Sequence, residues 1–522
     1  MNASPEEPSP ANRSWILRFA RWLLSWRILR RFLVAAASVV TVIALIYVEE
    51  NWRGKSAWEK FKREWEAKGE RFDLASFVPK PMPPEQNFFA TPFWASLDYE
   101  RNPQTQEVKW KDTNGWQRTQ QLDIYGPRQP QVTLPSLGTM HRRELTDLRE
   151  WQQYYRANTN FPSAPQPQEP AQDVLLALGK FDRVLAELSD ASRRPYAHFP
   201  VHYGEGFDAL LPHLAALKGL SQALRLRSIA FLSANQPDEA LNDIKLGLRL
   251  SQASQAEPLL ISYLVQIAIN QIMLNSVWEG LALHRWNEAQ LAELQRALES
   301  MDLLADYLRA MRGERAFSND LMDKLRRGRY PASAPAPDEA GPADITRVTA
   351  WAPSGFVYQN QLHINRLHQE RTLRVIDASE HRAYPERARE MEDPPELRKT
   401  TPYNILARLL FPALTKTAIK AATAQAMLDL ATAACALERY RLANGQFPDT
   451  ILALVPRFLA RPRMDVIDGE PLRYQRTAGG QFILYSIGWN EKDDGGEVAL
   501  TKGKPPGPDF TRGDWVWRYP PK

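Results

Sequence analysis

Residues Phe32 to Val48 read FLVAAASVVTVIALIYV, a run of 17 residues without a charge, a proline or a glycine. At about 1.5 Å per residue, a helix through it is roughly 25 Å long, close to the hydrocarbon thickness of a bilayer, about 30 Å. Trp26 and Ile28 before the run, with Tyr47 and Trp52 at its far end, extend it into the interfacial layers. So short a run also suits a core helix or a cleaved signal peptide, and its flanks decide between them. Arg13, Arg18, Arg21, Arg27, Arg30 and Arg31 precede it, while Glu49 and Glu50 follow at once. That is the positive-inside asymmetry of a helix whose N-terminus stays in the cytoplasm. Val48, Glu49, Glu50 and Asn51 stand where a small-x-small cleavage site would lie. The expectation is an uncleaved signal anchor in the inner (cytoplasmic) membrane: residues 1–31 cytoplasmic, 32–48 transmembrane, the bulk extracytoplasmic. Upstream, Trp15, Phe19, Trp22, Leu23 and Trp26 recur at helical spacing between arginines. The stretch reads either as a basic amphipathic helix on the inner leaflet or as a lead-in to the anchor.

Beyond the anchor, 522 residues are too many for one compact core, and about two to four folding units are expected. Hydrophobic residues at 44% and charged residues at 24% exclude wholesale disorder. The net charge of +5, with both signs interleaved except near the N-terminus, does not indicate a nucleic-acid surface. The single cysteine, Cys435, rules out an internal disulfide and a multi-thiolate metal site, and among alanines it reads as a small core residue. Prolines, 40 against 25 glycines, gather at Phe161 to Pro170 and Pro331 to Pro342, which read as linkers.

The fold class expected is mainly α. Residues 49–145 form a juxtamembrane region. There, Trp58, Phe61 and Trp65 predict a surface helix continuing from the anchor, and EVKWKDTNGWQRTQQLDIYG predicts a β-hairpin turning at Asn114 and Gly115. Residues 146–330 read as an α-helical, repeat-like domain. Within it, Ala230 to Leu250 looks like the turn and second helix of a tetratricopeptide-type hairpin, capped at Asp238. A Pro-rich linker, 331–345, and a helical segment, 346–414, follow, with a helix over Gln359 to Asp377. Asn404 to Leu414 is apolar but too short to span a bilayer and contains Pro412, so it reads as core. From Thr415 an alanine-rich helix runs to about Tyr440. A strand pair turning at Gly479 and Gly480 comes next, and a last strand lies in GDWVWRY.

Residues 415–522 resemble the globular part of the major pseudopilin of type II secretion, with its type IV pilin-like α+β fold. The resemblance is carried by Tyr440, Arg441, Asn444, Gly445, Phe447 and Pro448 at the helix end, and by Leu454 and Pro456 after it. Asp468, Gly469, Pro471, Leu472 and Tyr474 match the sheet entrance, and Leu484, Tyr485, Ser486 and Gly488 match the strand before an acidic glycine loop. The whole arrangement is similar to a family of large, uncharacterised single-anchor bacterial membrane proteins. The pseudopilin processing motif, a glycine followed by Phe-Thr-Leu-x-Glu, is not found, which implies a permanent tether and not a polymerising stem. The resemblance also implies calcium in the loop WNEKDDGGEV, with Asp493, Asp494, Glu497 and the later Asp514 as oxygen donors. The same loop reads equally as a solvated acidic turn.

Other candidate chemistry is sparse. His198, His202 and Glu205 invite a metal, but Pro200, Gly204 and Gly206 break the helix that would align them, so structural histidines are expected. His363 and His368 lie five apart on a predicted helix and point to different faces, and Glu299 and Glu314 read as helix carboxylates. No nucleophile elbow, P-loop, dinucleotide fingerprint or HExxH motif occurs. The expected function is a non-enzymatic, membrane-anchored extracytoplasmic scaffold or protein-binding protein whose partners are the membrane and other proteins. A component or relative of a type II secretion or pilus-like machine, and a hydrolase without a recognisable motif, remain as alternatives.

Overall fold

The computed structural model describes residues 26–102, 105–127, 133–327, 352–392, 394–410, 412–503 and 506–520. The expected amphipathic lead-in before Trp26 and the Pro-rich linker 331–345 lie outside the described residues. Helix α1 (Trp26–Glu66) is continuous over 41 residues and contains one glycine and no proline. Through the apolar run its side chains are uncovered, with Phe32 at 71% and Leu45 at 63% exposure, so the helix is long and apolar enough to cross a membrane. Ser38 and Thr41 donate back to the carbonyls of Val34 and Ala37 at 2.8 Å, which pairs both hydroxyl hydrogens within the helix. From Glu50 onward one face is buried, at Glu50, Gly54, Trp58 and Phe61.

A short helix α2 (Pro92–Ala95), an antiparallel ribbon of β1 (Tyr99–Arg101) and β2 (Val108–Trp110), and helix α3 (Thr113–Gln120) follow. The ribbon therefore turns before Val108, and the expected hairpin at Asn114 and Gly115 is replaced by the first turn of α3. Asp112 caps that helix, accepting from the Gly115 N–H at 2.8 Å, and Gly115 lies so close to Ser96 that a Cβ there would sit 2.0 Å from its Cβ. An Asn-Gly pair beside an Asp is thus spent on an N-cap and a close contact instead of a turn.

The helical layer comprises α4 (Leu148–Ala157), α5 (Pro170–Leu178), α6 (Asp182–Ala191), α7 (Pro212–Ser233), α8 (Pro237–Ala253), α9 (Leu260–Ala282), α10 (Glu288–Glu299) and α11 (Leu303–Arg326). α7 and α8 form a helical hairpin across Ala234, Asn235 and Gln236, and α9 packs on both. The expected cap at Asp238 is corrected. Gln236 occupies the cap position with Pro237 first in the helix, and the Asp238 carboxylate accepts from Gln290 Nε2 at 2.6 Å. α9 is as long and apolar as a membrane span, yet 61% of that window is buried, and its place is in the core.

Helix α12 (Ser354–Glu370) is followed by a ribbon of β3 (Ile376–Asp377) and β4 (Arg382–Ala383), then α13 (Pro385–Glu392), α14 (Ile405–Leu410) and α15 (Pro412–Asn444). Strands β5 (Arg473–Arg476), β6 (Phe482–Ser486) and β9 (Trp515–Arg518) make an antiparallel sheet in the order β5-β6-β9, with Tyr474 opposite Leu484 and Leu484 opposite Trp517. β7 (Val498–Leu500) and β8 (Pro508–Gly513) pair separately across a bulge. As the sequence pattern predicts, a long helix precedes a small antiparallel sheet and packs on it. α15 is buried on nearly all sides, because alanines at 418, 421, 422, 426, 431, 433, 434 and 436 let α9, α10, α11 and β9 approach closely. One continuous core therefore runs from Phe88 to Tyr519, across both sequence positions, 346 and 415, where separate units were expected to begin.

Helices α1 and α12 run side by side in the same direction. Gly54, past the middle of α1, meets Gly355 in the first turn of α12, and Phe61 clusters with Leu362 further along, together with Trp58 and Phe72. A Cβ on Gly54 would lie 2.6 Å from the Gly355 carbonyl oxygen, and one on Gly355 only 2.1 Å from that of Glu50. Two facing glycines let these backbones touch.

Candidate functional site

The acidic loop between β6 and β7 is organised around Asp514, which precedes β9. Its carboxylate is 2% exposed and accepts from the Gly496 N–H at 2.7 Å and the Asp494 N–H at 3.3 Å, and burial pushes its pKa up. Asp493 accepts from Tyr485 OH at 3.1 Å and the Gly495 N–H at 3.0 Å, while Asp494 accepts from Asn490 Nδ2 at 2.8 Å. Glu497 is exposed, and its carbonyl accepts from the Asp514 N–H at 2.9 Å. Asp514 is thus turned toward backbone N–H donors of the loop. Among the described residues no group of three or more His, Cys, Asp and Glu side chains can hold a metal ion.

His202 stacks on Tyr99 with ring centroids 4.4 Å apart. Its Nε2 lies 3.3 Å from Asp98 and its Nδ1 3.5 Å from Glu205, so the two carboxylates sit on opposite sides of the ring and cannot share a metal with it. Glu205 in turn accepts from Arg101 Nε at 3.0 Å and Tyr99 OH at 2.9 Å. His198 is joined to Asn87 through its backbone in both directions at 2.8 Å. His363 lines a small cleft against Phe61 and Trp65, whereas His368 is 1% exposed. Glu314 is pushed up by burial, and Glu299 pairs with Arg463 at 2.7 Å. Cys435 is fully buried, and burial pushes its thiol up to about 12.

Two concave surfaces were not anticipated. The larger, about 810 Å³, lies between α6, α8 and the end of α10. Its floor is set by Arg227 of α7, which reaches Asp182 at 2.9 Å and forks onto Asp243 with Nε at 2.8 Å and Nη2 at 2.5 Å. Arg249 closes one end by donating to the carbonyls of Ser192 at 3.3 Å and Arg194 at 3.0 Å. The rim is polar and mixed in charge, including Ser189, Arg193, Glu239, Asn242 and Lys245. Such a groove suits an extended polypeptide with polar side chains.

The smaller cleft, about 370 Å³, is formed by the β3–β4 turn, α15 and residues 461–464. His381, with a left-handed φ of 54°, places Nε2 3.0 Å from Asp429 of α15, and Gln425 Nε2 donates to the same oxygen at 3.2 Å. That hydrogen bond raises the His381 pKa, and Arg382, Arg461 and Arg463 line the cleft together with Glu380 and Asp429. Ser379 also lines it, but its hydroxyl donates to Asp377 at 2.6 Å. His381 and Asp429 are 48 positions apart, on a turn and a helix that nothing local in the sequence pairs; the only local signal is the basic Arg461-Pro462-Arg463.

Just past the apolar run of α1, Glu50 accepts from Arg53 Nη2 at 2.6 Å and from Tyr403 OH at 3.0 Å, and Asn51 accepts from the Gly355 N–H at 2.8 Å. The base of α1 is therefore joined by hydrogen bonds as well as glycine contact to two segments of the body that lie about 300 to 350 positions away in sequence. No family model, no curated protein and no solved structure matches this chain.

Proposed function

We propose that this chain is a single-pass inner-membrane protein whose extracytoplasmic body is a non-enzymatic, protein-binding scaffold held at a fixed height above the bilayer. The observation that carries the reading is the continuity of α1. Its first half is apolar and uncovered, and its second half, without a break, is locked to α12 through Gly54 and Gly355. A tether joined through a loop would let the body swing; a continuous helix clamped at its base fixes orientation. Arginines at 27, 30 and 31, before the apolar run, support a cytoplasmic N-terminus. The groove over Arg227 and Asp243 supports a partner surface, since its ion pairs are already made and its open rim offers hydrogen bonds to a peptide backbone.

A part in a secretion or pilus-like machine draws support from the order of α15 and its sheet. It would have to use surfaces other than α15, whose faces are taken up by α9, α10, α11 and β9.

The test is a pair of measurements on the full chain. A C-terminal reporter that works only outside the cytoplasm should be active, and cytoplasmic activity would reverse the topology. A photo-crosslinking residue in place of Asn242 on the groove rim should give a discrete protein adduct that is absent when it replaces exposed Leu452. Equal yields at both positions would remove the groove as the binding surface.

A further inference from the structure

The segment 398–410 sits beside the point where α1 leaves its apolar zone. Val48 ends the apolar run, and Glu50 is about 3 Å further along the helix axis. Tyr403 OH lies 3.0 Å from the Glu50 carboxylate, and the Arg53 guanidinium lies over the Tyr403 ring at 5.5 Å. The segment is held rigidly at that level. Asn360 of α12 donates to the Pro402 carbonyl at 2.7 Å and accepts from the Leu406 N–H at 2.9 Å. α14 then turns Leu406 and Ala407 into the core and leaves Ile405 at 40% and Leu409 at 59% exposure. The expectation that Asn404 to Leu414 is core thus holds for only one face of α14. Trp52 of α1, 71% exposed, stands at the same level.

The charge of the segment is one-sided. From Arg398 to Lys420 the chain carries Arg398, Lys399, Arg408, Lys416 and Lys420 and no acid, in a protein whose charges are interleaved outside the N-terminus. Arg398, Lys399, Lys416 and Lys420 are exposed. Exposed leucine and isoleucine between lysines, in a segment whose Tyr403 touches α1 two residues past its apolar run, match an interfacial layer roughly 5–8 Å deep, with acyl chains below and headgroup phosphates around.

On the reading of α1 as the anchor, we infer that α14 and its flanking cations are a second, peripheral contact with the same bilayer, seating Ile405 and Leu409 among anionic lipids around the exit of α1. The body then touches the membrane at two places, one spanning and one lying on the surface, which fixes its tilt as well as its height.

The experiment uses the full chain in vesicles of phosphatidylethanolamine and phosphatidylglycerol containing lipid spin-labelled near the headgroup for positions 409 and 452, and deep in the acyl chain for position 40. Single-cysteine variants Val40→Cys, Leu409→Cys and Leu452→Cys carry an environment-sensitive fluorophore, and native Cys435, fully buried, stays unlabelled. Leu452 follows α15, whose 33 residues span about 50 Å from α14. Quenching at positions 40 and 409 but not at 452 supports the inference. Quenching at 40 without quenching at 409 overturns it and leaves the anchor standing. No quenching at 40 overturns the anchor reading itself. Crosslinking of Leu409→Cys between two chains, with the probe shielded from lipid, assigns the surface to a second copy and overturns the inference. The double reversal Lys399→Glu with Lys416→Glu should cut quenching at 409 by about half in these vesicles. Unchanged quenching would overturn the role of the cations.

Discussion

Within α12, His368 is 1% exposed, and burial, with the Arg315 charge nearby, pushes its pKa down to about 3. An unfolded imidazole takes a proton near 6.5, so between about 6.5 and 3 the unfolded chain binds the extra proton and the folded chain does not. Stability from this group is full above that window and lost as pH falls through it, with a slope of up to about 1.4 kcal/mol per pH unit. Thermal unfolding of the detergent-solubilised chain between pH 7 and 4 should fall more steeply for the native protein than for His368→Leu; parallel curves would mean the imidazole is not kept neutral. His381 runs the other way. Its hydrogen bond to Asp429 raises its pKa, so the stabilisation is full below about 6.5 and fades as pH rises through the folded value. Asparagine tolerates the left-handed φ of 54° at this position, so His381→Asn isolates the charge. Its melting-temperature deficit should be larger at pH 6 than at pH 9, and an equal deficit would assign His381 a purely steric role.

Between elements, the contact of α1 with α12 tolerates no side chain at its tightest point. Gly54→Val places atoms where the Gly355 carbonyl already stands, and overpacking of this kind costs about 1–3 kcal/mol. The expected result is a lower melting temperature together with greater access of a soluble quencher to Trp58, which is 4% exposed in the native packing. Lys55→Val, one position on and exposed, should change neither. The elements differ in how far local sequence discloses them. α1 and α9 have similar apolar length, and what separates them is context: arginines before α1, and four neighbouring helices around α9, of which only the arginines are legible locally. The strands turning at Gly479 and Gly480 follow from alternation, since Phe482, Leu484 and Ser486 point one way into the core. The ribbon before α3 escaped because Asp112 competes for the Gly115 N–H, a choice that depends on the close approach of Ser96. The His381–Asp429 cleft and the Glu50–Tyr403 contact join residues 48 and 353 positions apart, and no periodicity links them.

At the scale of the whole molecule, the continuity of the core has a consequence for residues 415–522, which by pattern look like a domain of their own. Several polar links tie this region to the helical layer. The Leu303 N–H donates to Gln425 at 2.8 Å, Gln295 Nε2 to the Phe458 carbonyl at 2.9 Å, and Trp278 Nε1 to the Arg518 carbonyl at 3.0 Å, while Glu438 and His284 meet at 2.8 Å. Cutting the chain at 414 exposes the alanine face of α15 and strips these groups of partners, at a cost of about 1–3 kcal/mol for each that stays buried. A unit of this size commonly has a margin of only about 5–15 kcal/mol, and it would also lose the apolar contacts that α9, α10 and α11 supply. The isolated 415–522 fragment is therefore expected to lack fixed tertiary structure, with poorly dispersed amide resonances and no cooperative melting. The solubilised full chain should melt in one transition that tryptophan fluorescence and far-UV circular dichroism report together. A fragment that melts cooperatively by itself would show that the C-terminal sheet and its helix are docked on the body as a separate unit, and the polar links would then be an interface between domains instead of parts of one core.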